Sequence, residues 1–327
     1  MQRRWYLGCV SGLGKERNVS DCARWGTGIL AAICLAAPIP LFARVGVDHP
    51  AAACATKNLV HSTTVKQYVF ATYESDAGAC LQVVRAGKVI FRRTLDSQEG
   101  FTLGQPADSQ GNTPAIAGGT DVTGRGNPDM IVSAFTGGAH CCTFHFVFEL
   151  QPEFKLLATL DDADDDLSHF ERDRQDGHYY YITADWTFAY WPDCFACSPS
   201  ALVKLRWIDD KNGGGFHLAA DKMQKPAPTQ KEWNRALSEA QKAVNSHDVN
   251  SIGTTMWQTV LNLIYSGHSD LAWKFVDELG PKAQQKPLPT LANFCSLLAK
   301  SQFWPDLKPT LKDTPAACAN AGPGPSQ

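Results

Sequence analysis

The spacing of apolar residues changes once along this chain, near Pro228, and that change limits the fold more than any other feature. Between Val65 and Ile208, short runs rich in β-branched and aromatic residues (VKQYVFATY, CLQVVRA, KVIFRRTL, MIVSAF, FHFVFEL, FKLLATL, YYYITADW, LVKLRWI) are separated by turns such as SDAGA and AGK. Such runs fit a pleated surface and the turns fit hairpins, so the region predicts antiparallel strands and no helix. After Pro228 the period becomes helical. Thr229 and Glu232 form a capping box, and Trp233, Leu237, Ala240 and Val244 follow along one face. Met256, Trp257, Val260, Leu261 and Ile264 make a second stripe. Leu271, Ala272, Phe275, Val276 and Leu279 make a third, closed by Gly280 and Pro281, and LANFCSLLAK gives a fourth. Short loops between these segments predict antiparallel neighbours.

The expected architecture is therefore a mainly β N-terminal domain over 54–225, either degenerate and propeller-like or irregularly antiparallel. A small all-α helical bundle follows over 229–311, with a mostly disordered tail over 312–327. The glycines of DKNGGGFHLA and the prolines of KPAPT read as the linker.

The N-terminus predicts export. Arg3, Arg4, Lys15, Arg17 and Arg24 precede the apolar run GILAAICLAAPIPLFA at 28–43, a basic region followed by an apolar one. That run falls short of the roughly 20 residues that span a bilayer core, so 1–43 reads as a signal peptide, with a signal anchor as the alternative. A periplasmic or secreted location follows, with membrane contact only through an uncleaved leader. The formal net charge of -3 offers no basic face for nucleic acid.

Of the 11 cysteines, those outside the leader are Cys54, Cys80, Cys141, Cys142, Cys194, Cys197, Cys295 and Cys318, an even set that reads as disulfides in an exported chain. Proximity pairs Cys54 with Cys80 and Cys295 with Cys318. The remaining four lie near His140 and His145, and three arrangements are open to them. Two disulfides join the Cys141-Cys142 segment to Cys194 and Cys197, or Cys141 and Cys142 form a vicinal disulfide, or the thiolates hold zinc with His140 or His145. A redox role for the CxxC pair is a further reading, although no βαβ context accompanies it.

The segment DVTGRGNPDMIVSAF at 121–135 resembles the metal loop of FG-GAP or VCBS-type repeats, in which D-x-[DNT]-G-D-G-x-x-D precedes a strand. The resemblance places Asp121, Thr123 and Asp129 at calcium-ligand positions and lets Asn127 offer a backbone carbonyl. Arg125 stands where that pattern has an acid. Its guanidinium repels a divalent cation and is expected to pair with Asp121 and Asp129, so a loop without metal is the expected state and calcium the alternative. A more degenerate copy lies at FERDRQDGHYYYITADW, where Asp173, Asp176 and Gly177 precede a strand. TGGAHCCTF and the Trp/Phe-rich segment after it extend the resemblance to exported bacterial proteins with such repeats. It implies adhesion or ligand binding and brings no activity with it.

Tyr179, Tyr181, Trp186, Tyr190, Trp191 and Phe195 are either core or a platform for sugar rings or a partner. The acidic run DDADDD at 161–166 reads as a solvated loop. No G-x-S-x-G, H-E-x-x-H or phosphate loop occurs. The expected function is that of an exported, non-catalytic binding protein for an envelope protein or glycan, without cofactor. The alternative is a metal-dependent enzyme with a Cys/His zinc site.

Overall fold

A computed structural model describes residues 54, 58–96, 100–108, 113–137, 143–163, 168–211 and 213–322. Residues 1–43, read above as a signal peptide, lie outside them with His140, Cys141 and Cys142, as do the last five residues.

Among the described residues, twelve strands build three open four-stranded antiparallel sheets, each in chain order. The first holds β1 (Asn58–Val65), β2 (Tyr68–Ser75), β3 (Gly78–Arg85) and β4 (Lys88–Leu95). The second holds β5 (Phe101–Leu103), β6 (Asp129–Phe135), β7 (Thr143–Glu149) and β8 (Lys155–Asp161). The third holds β9 (His169–Arg172), β10 (Tyr179–Asp185), β11 (Ala201–Ile208) and β12 (Gly215–Leu218). Two-residue turns join the strands of the first sheet. Between β3 and β4 both turn residues, Ala86 and Gly87, have positive φ (49° and 76°), the twist a tight hairpin needs. The sheets do not close into a propeller.

Successive strand residues point to opposite faces, and the second sheet buries both of its faces. Met130, Val132 and Ala134 of β6 and Phe146 and Phe148 of β7 meet Tyr68, Phe70, Leu81 and Val83 of the first sheet. Ile131 and Val147, with the opposite parity, join Phe170, Tyr181, Val203 and Leu205 of the third. The β part is a three-layer stack. β12 comes from the stretch read as a linker: Phe216 and Leu218 sit opposite Trp207 and Leu205 across the ladder with β11, and that apolar pairing recruits them to the sheet.

The helices are α1 (Ala220–Met223), α2 (Gln230–Ser246), α3 (Val249–Ile252), α4 (Gln258–Tyr265), α5 (Ser269–Leu279), α6 (Leu291–Leu298), α7 (Trp304–Leu307) and α8 (Ala316–Ala319). The Thr229–Glu232 capping box starts α2, and a π-helical turn, Gly253–Trp257, leads into α4. Met256, Trp257, Val260, Leu261 and Ile264 are all buried, each contributing roughly 1.5–3 kcal/mol in apolar burial. One continuous core runs from the third sheet into these helices. Phe188 of the β region stacks on Phe294 of α6 with ring centroids 4.9 Å apart, and Phe294 stacks on Trp257 at 4.8 Å.

Cys54–Cys80 and Cys295–Cys318 are disulfides, the second tying α8 to α6, and Cys194 is bonded to Cys197. Such bonds belong to a protein that folds outside the reducing cytosol. Among the described residues no helix is long and apolar enough to cross a membrane.

Candidate functional site

The 121–129 loop is held by its own backbone. Asp121 Oδ1 accepts from the N–H of Gly124 (2.7 Å) and of Arg125 (3.1 Å), and its Oδ2 from the N–H of Gly126 (2.8 Å). Asp129 Oδ2 accepts from the N–H groups of Val122 and Thr123 and from the Thr123 hydroxyl, at 2.9–3.0 Å. Its Oδ1 is buried without a hydrogen-bond partner. Burial is the main cause that raises the Asp129 carboxyl to about 6, against the pull of those three hydrogen bonds.

Arg125 does not pair with Asp121 or Asp129, contrary to expectation. Its Nη1 bonds Glu149 at 2.8 Å and its Nε bonds Asp209 at 3.0 Å, while the guanidinium lies 5.7 Å from the centre of the Trp207 ring. The loop's N–H groups already occupy both oxygens of Asp121 and one oxygen of Asp129, and Glu149 stands opposite Asp129 across the β6–β7 ladder. Asn127 contributes its side chain, whose Nδ2 donates to Glu149 at 2.9 Å. A calcium ion here would compete with backbone donors for both carboxylates. At the second, degenerate loop a protein cation takes that place. Lys222 of α1 reaches Asp173 at 2.8 Å and Asp176 at 2.6 Å, and its hydrogen bonds hold both carboxyls below their ordinary range.

Of the proposed Cys/His cluster, His145, Cys194 and Cys197 are among the described residues. His145 shares the strand parity of Val147 and therefore faces the third sheet. Its Nδ1 lies 2.8 Å from the Ser133 hydroxyl and its Nε2 lies 3.2 Å from Asp162 Oδ2. Asp162 also accepts from the hydroxyls of Tyr181 (2.6 Å), Ser168 (2.7 Å) and Thr183 (3.0 Å). Asp162 is thus no part of a solvated acidic loop but 2% exposed, and Tyr181 is no surface platform. Hydrogen bonds on every side are what make burial of this carboxylate tolerable. Cys194 and Cys197 bond each other. Among the described residues no group of three or more His, Cys, Asp or Glu side chains is placed to hold a metal ion. The sequence reading missed Ser133, Asp162 and Thr183; only the register of two sheets brings them together.

The aromatics sort into three places. Tyr179 is half-buried against the core and Tyr181 lies within it. Trp191 turns inward against Phe188 (5.3 Å) and Trp257 (5.5 Å). Trp186, Tyr190 and Phe195 gather on the outer side of the 186–198 loop. Trp186 and Phe195 stack at 5.2 Å with an interplanar angle of 11°, and Tyr190, 57% exposed, reaches Phe195 at 5.4 Å. The outer edge of Trp191, with Pro192, forms one wall of an open cleft of about 450 Å³; Lys286, Leu288, Asn293 and Ser296 line the other.

The loop carrying these rings is fixed from behind. Asp185 accepts from the backbone N–H of Thr187 at 3.0 Å, and Gln258 of α4 clamps Ser200 by donating to its carbonyl (2.6 Å) and accepting its N–H (3.1 Å). A Cβ at Gly253 would collide with the Cys197 carbonyl, so glycine lets the loop lie directly on the π-helical turn. Comparison with known proteins gives no matching family model, no matching curated protein and no matching solved structure.

Proposed function

We propose that this is an exported binding protein of the periplasm or the extracellular space, without catalytic activity, whose ligand is a glycan. The observation that carries this reading is the Trp186–Phe195–Tyr190 cluster, in which Tyr190 is exposed and the other two rings are half-buried, beside the cleft walled by Trp191, Pro192, Asn293 and Ser296. A sugar ring offers an apolar face to an aromatic plane and hydroxyls at its rim. Asn293, Ser296 and Lys286 supply hydrogen-bonding groups for that rim, the usual combination of apolar surface and few polar contacts in a small-ligand site. The disulfides and the basic, apolar leader support export. The likeness of the 121–129 loop to FG-GAP-type repeats agrees with a binding role. A Cys/His zinc enzyme has less behind it, because His145 is engaged by Ser133 and Asp162 and the CxxC thiols by each other.

The test is calorimetric titration of the mature protein with peptidoglycan fragments and with neutral and acidic oligosaccharides, repeated on Tyr190→Ala and Phe195→Ala. Saturable binding that weakens about five- to tenfold in either variant is expected, since a stacked ring contributes about 1–1.5 kcal/mol. Binding of an envelope protein at the same residues, with no glycan bound, would replace the glycan by a protein ligand.

A further inference from the structure

The bond between Cys194 and Cys197 differs from the other two disulfides in what it closes and where it sits. Cys54–Cys80 and Cys295–Cys318 span 26 and 23 residues, and all four of their cysteines are buried. Cys194–Cys197 spans 3. The stabilisation a disulfide lends a fold grows with the loop it closes, and by linkage the fold protects a long-loop bond more than a short one. The short bond therefore gains least protection from folding.

Its two cysteines are unlike. Cys197 is 4% exposed, its backbone packed on Gly253, and its sulfur lies 3.3 Å from Asn250 Oδ1 and 3.1 Å from the Cys194 carbonyl, acceptors for the S–H of the reduced form. The backbone N–H of Cys194 donates to Cys197 Sγ at 3.0 Å, an interaction that favours a leaving thiolate on that sulfur. Cys194 is half-buried and stands between exposed Asp193 and the ring cluster. A half-buried cysteine bonded to a buried, anchored one with a donor at hand is the arrangement in which a thiol attacks the first and expels the second.

We propose that Cys194–Cys197 is a thiol–disulfide exchange site, attacked at Cys194, whose reduction releases Phe195 from its stack with Trp186. The co-reactant is a dithiol. One of its thiolates attacks Cys194 Sγ and the Sγ–Sγ bond breaks, leaving Cys197 as a thiolate. The second thiol of the dithiol then displaces Cys194 from the mixed disulfide. Two electrons and two protons pass to the protein, and the dithiol becomes a disulfide. Phe195 lies within the closed loop, and the N–H groups of Cys197 and Ser198 bond the carbonyls of Cys194 and Phe195, so opening the ring frees the segment that presents the rings. That this controls ligand binding rests on the glycan reading above; the exchange chemistry does not.

The test uses the mature, folded protein in dithiothreitol buffers of graded potential, with alkylation read by peptide mass spectrometry and hydrogen exchange on the same samples. Among the six cysteines named here, Cys194 and Cys197 are expected to become alkylated while the other two pairs stay bonded. Amides of 195–198 should then exchange about tenfold or more faster. In Cys197→Ala, glutathione disulfide should modify Cys194 about tenfold or more faster than it modifies Cys197 in Cys194→Ala. Reduction of this pair only together with the others overturns the proposal, as does unchanged exchange at 195–198. The alkylation result stands whether or not any glycan binds, so failure of the ligand reading is distinguishable from failure of this one.

Discussion

Asp185, the last residue of β10, accepts a hydrogen bond at 2.5 Å from the hydroxyl of Tyr265, the last residue of α4. The same carboxylate oxygen takes the Ser301 hydroxyl at 2.8 Å, and the other takes the N–H of Thr187. One buried carboxylate thus joins the third sheet, α4, the connection between α6 and α7 and the start of the aromatic loop. Burial beside this carboxylate pushes the Tyr265 hydroxyl well above its ordinary range, so it remains a donor throughout the working pH range.

Removing that donor should be felt in stability and at the loop. Tyr265→Phe leaves Asp185 Oδ2 with Ser301 alone, and a hydrogen bond to a charged group is worth about 1.5–3 kcal/mol. Urea unfolding monitored by circular dichroism should show a loss in that range with an unchanged slope. A change below 0.5 kcal/mol would mean the carboxylate finds another partner at roughly equal strength.

Asp129 predicts a pH dependence of definite sign. Its folded carboxyl is raised from 3.8 to about 6. Between those values the unfolded chain gives up a proton that the folded one keeps. The group's contribution is therefore most favourable below about pH 4 and is lost as pH rises through about 6, an effect of roughly 3 kcal/mol. Asp129→Asn removes the titration while still offering an acceptor to Val122 and Thr123. Stability curves from pH 3.5 to 7 should diverge between the two proteins over that window, with wild type falling relative to the variant. Parallel curves would refute the shifted carboxyl.

Arg125 is the partner of a buried carboxylate, so its loss should cost more than a surface ion pair does. Glu149 is 7% exposed in its side chain, and Arg125→Ala leaves it with only the Asn127 amide. A penalty of about 2 kcal/mol is expected, with partial recovery in Arg125→Lys, whose point charge cannot bond Glu149 and Asp209 together and stack on Trp207. Thermal unfolding of the three proteins at one pH checks the order.

Local chemistry along the chain determined where strands give way to helices, because a period of two or of 3.6 is written in neighbouring residues. It determined the Thr229–Glu232 cap for the same reason, and the pairing of Cys54 with Cys80 and Cys295 with Cys318 through nearness in sequence. Tertiary structure alone decided the rest. The spacing of Tyr179, Tyr181, Trp186, Tyr190 and Trp191 is equally that of a core or a platform, and only the layer packed on β10 sent Tyr181 inward, while Tyr190 stands exposed in the loop beyond that strand. Asp162 sits in an acidic run that reads as solvated, yet the register of β10 against the second sheet sets two hydroxyls upon it. Arg125 was legible as a cation in an acidic loop, but its partners Glu149 and Asp209 are far away in sequence. Charge and hydrogen-bond satisfaction act through space, and a sequence read locally does not contain the distances on which they depend.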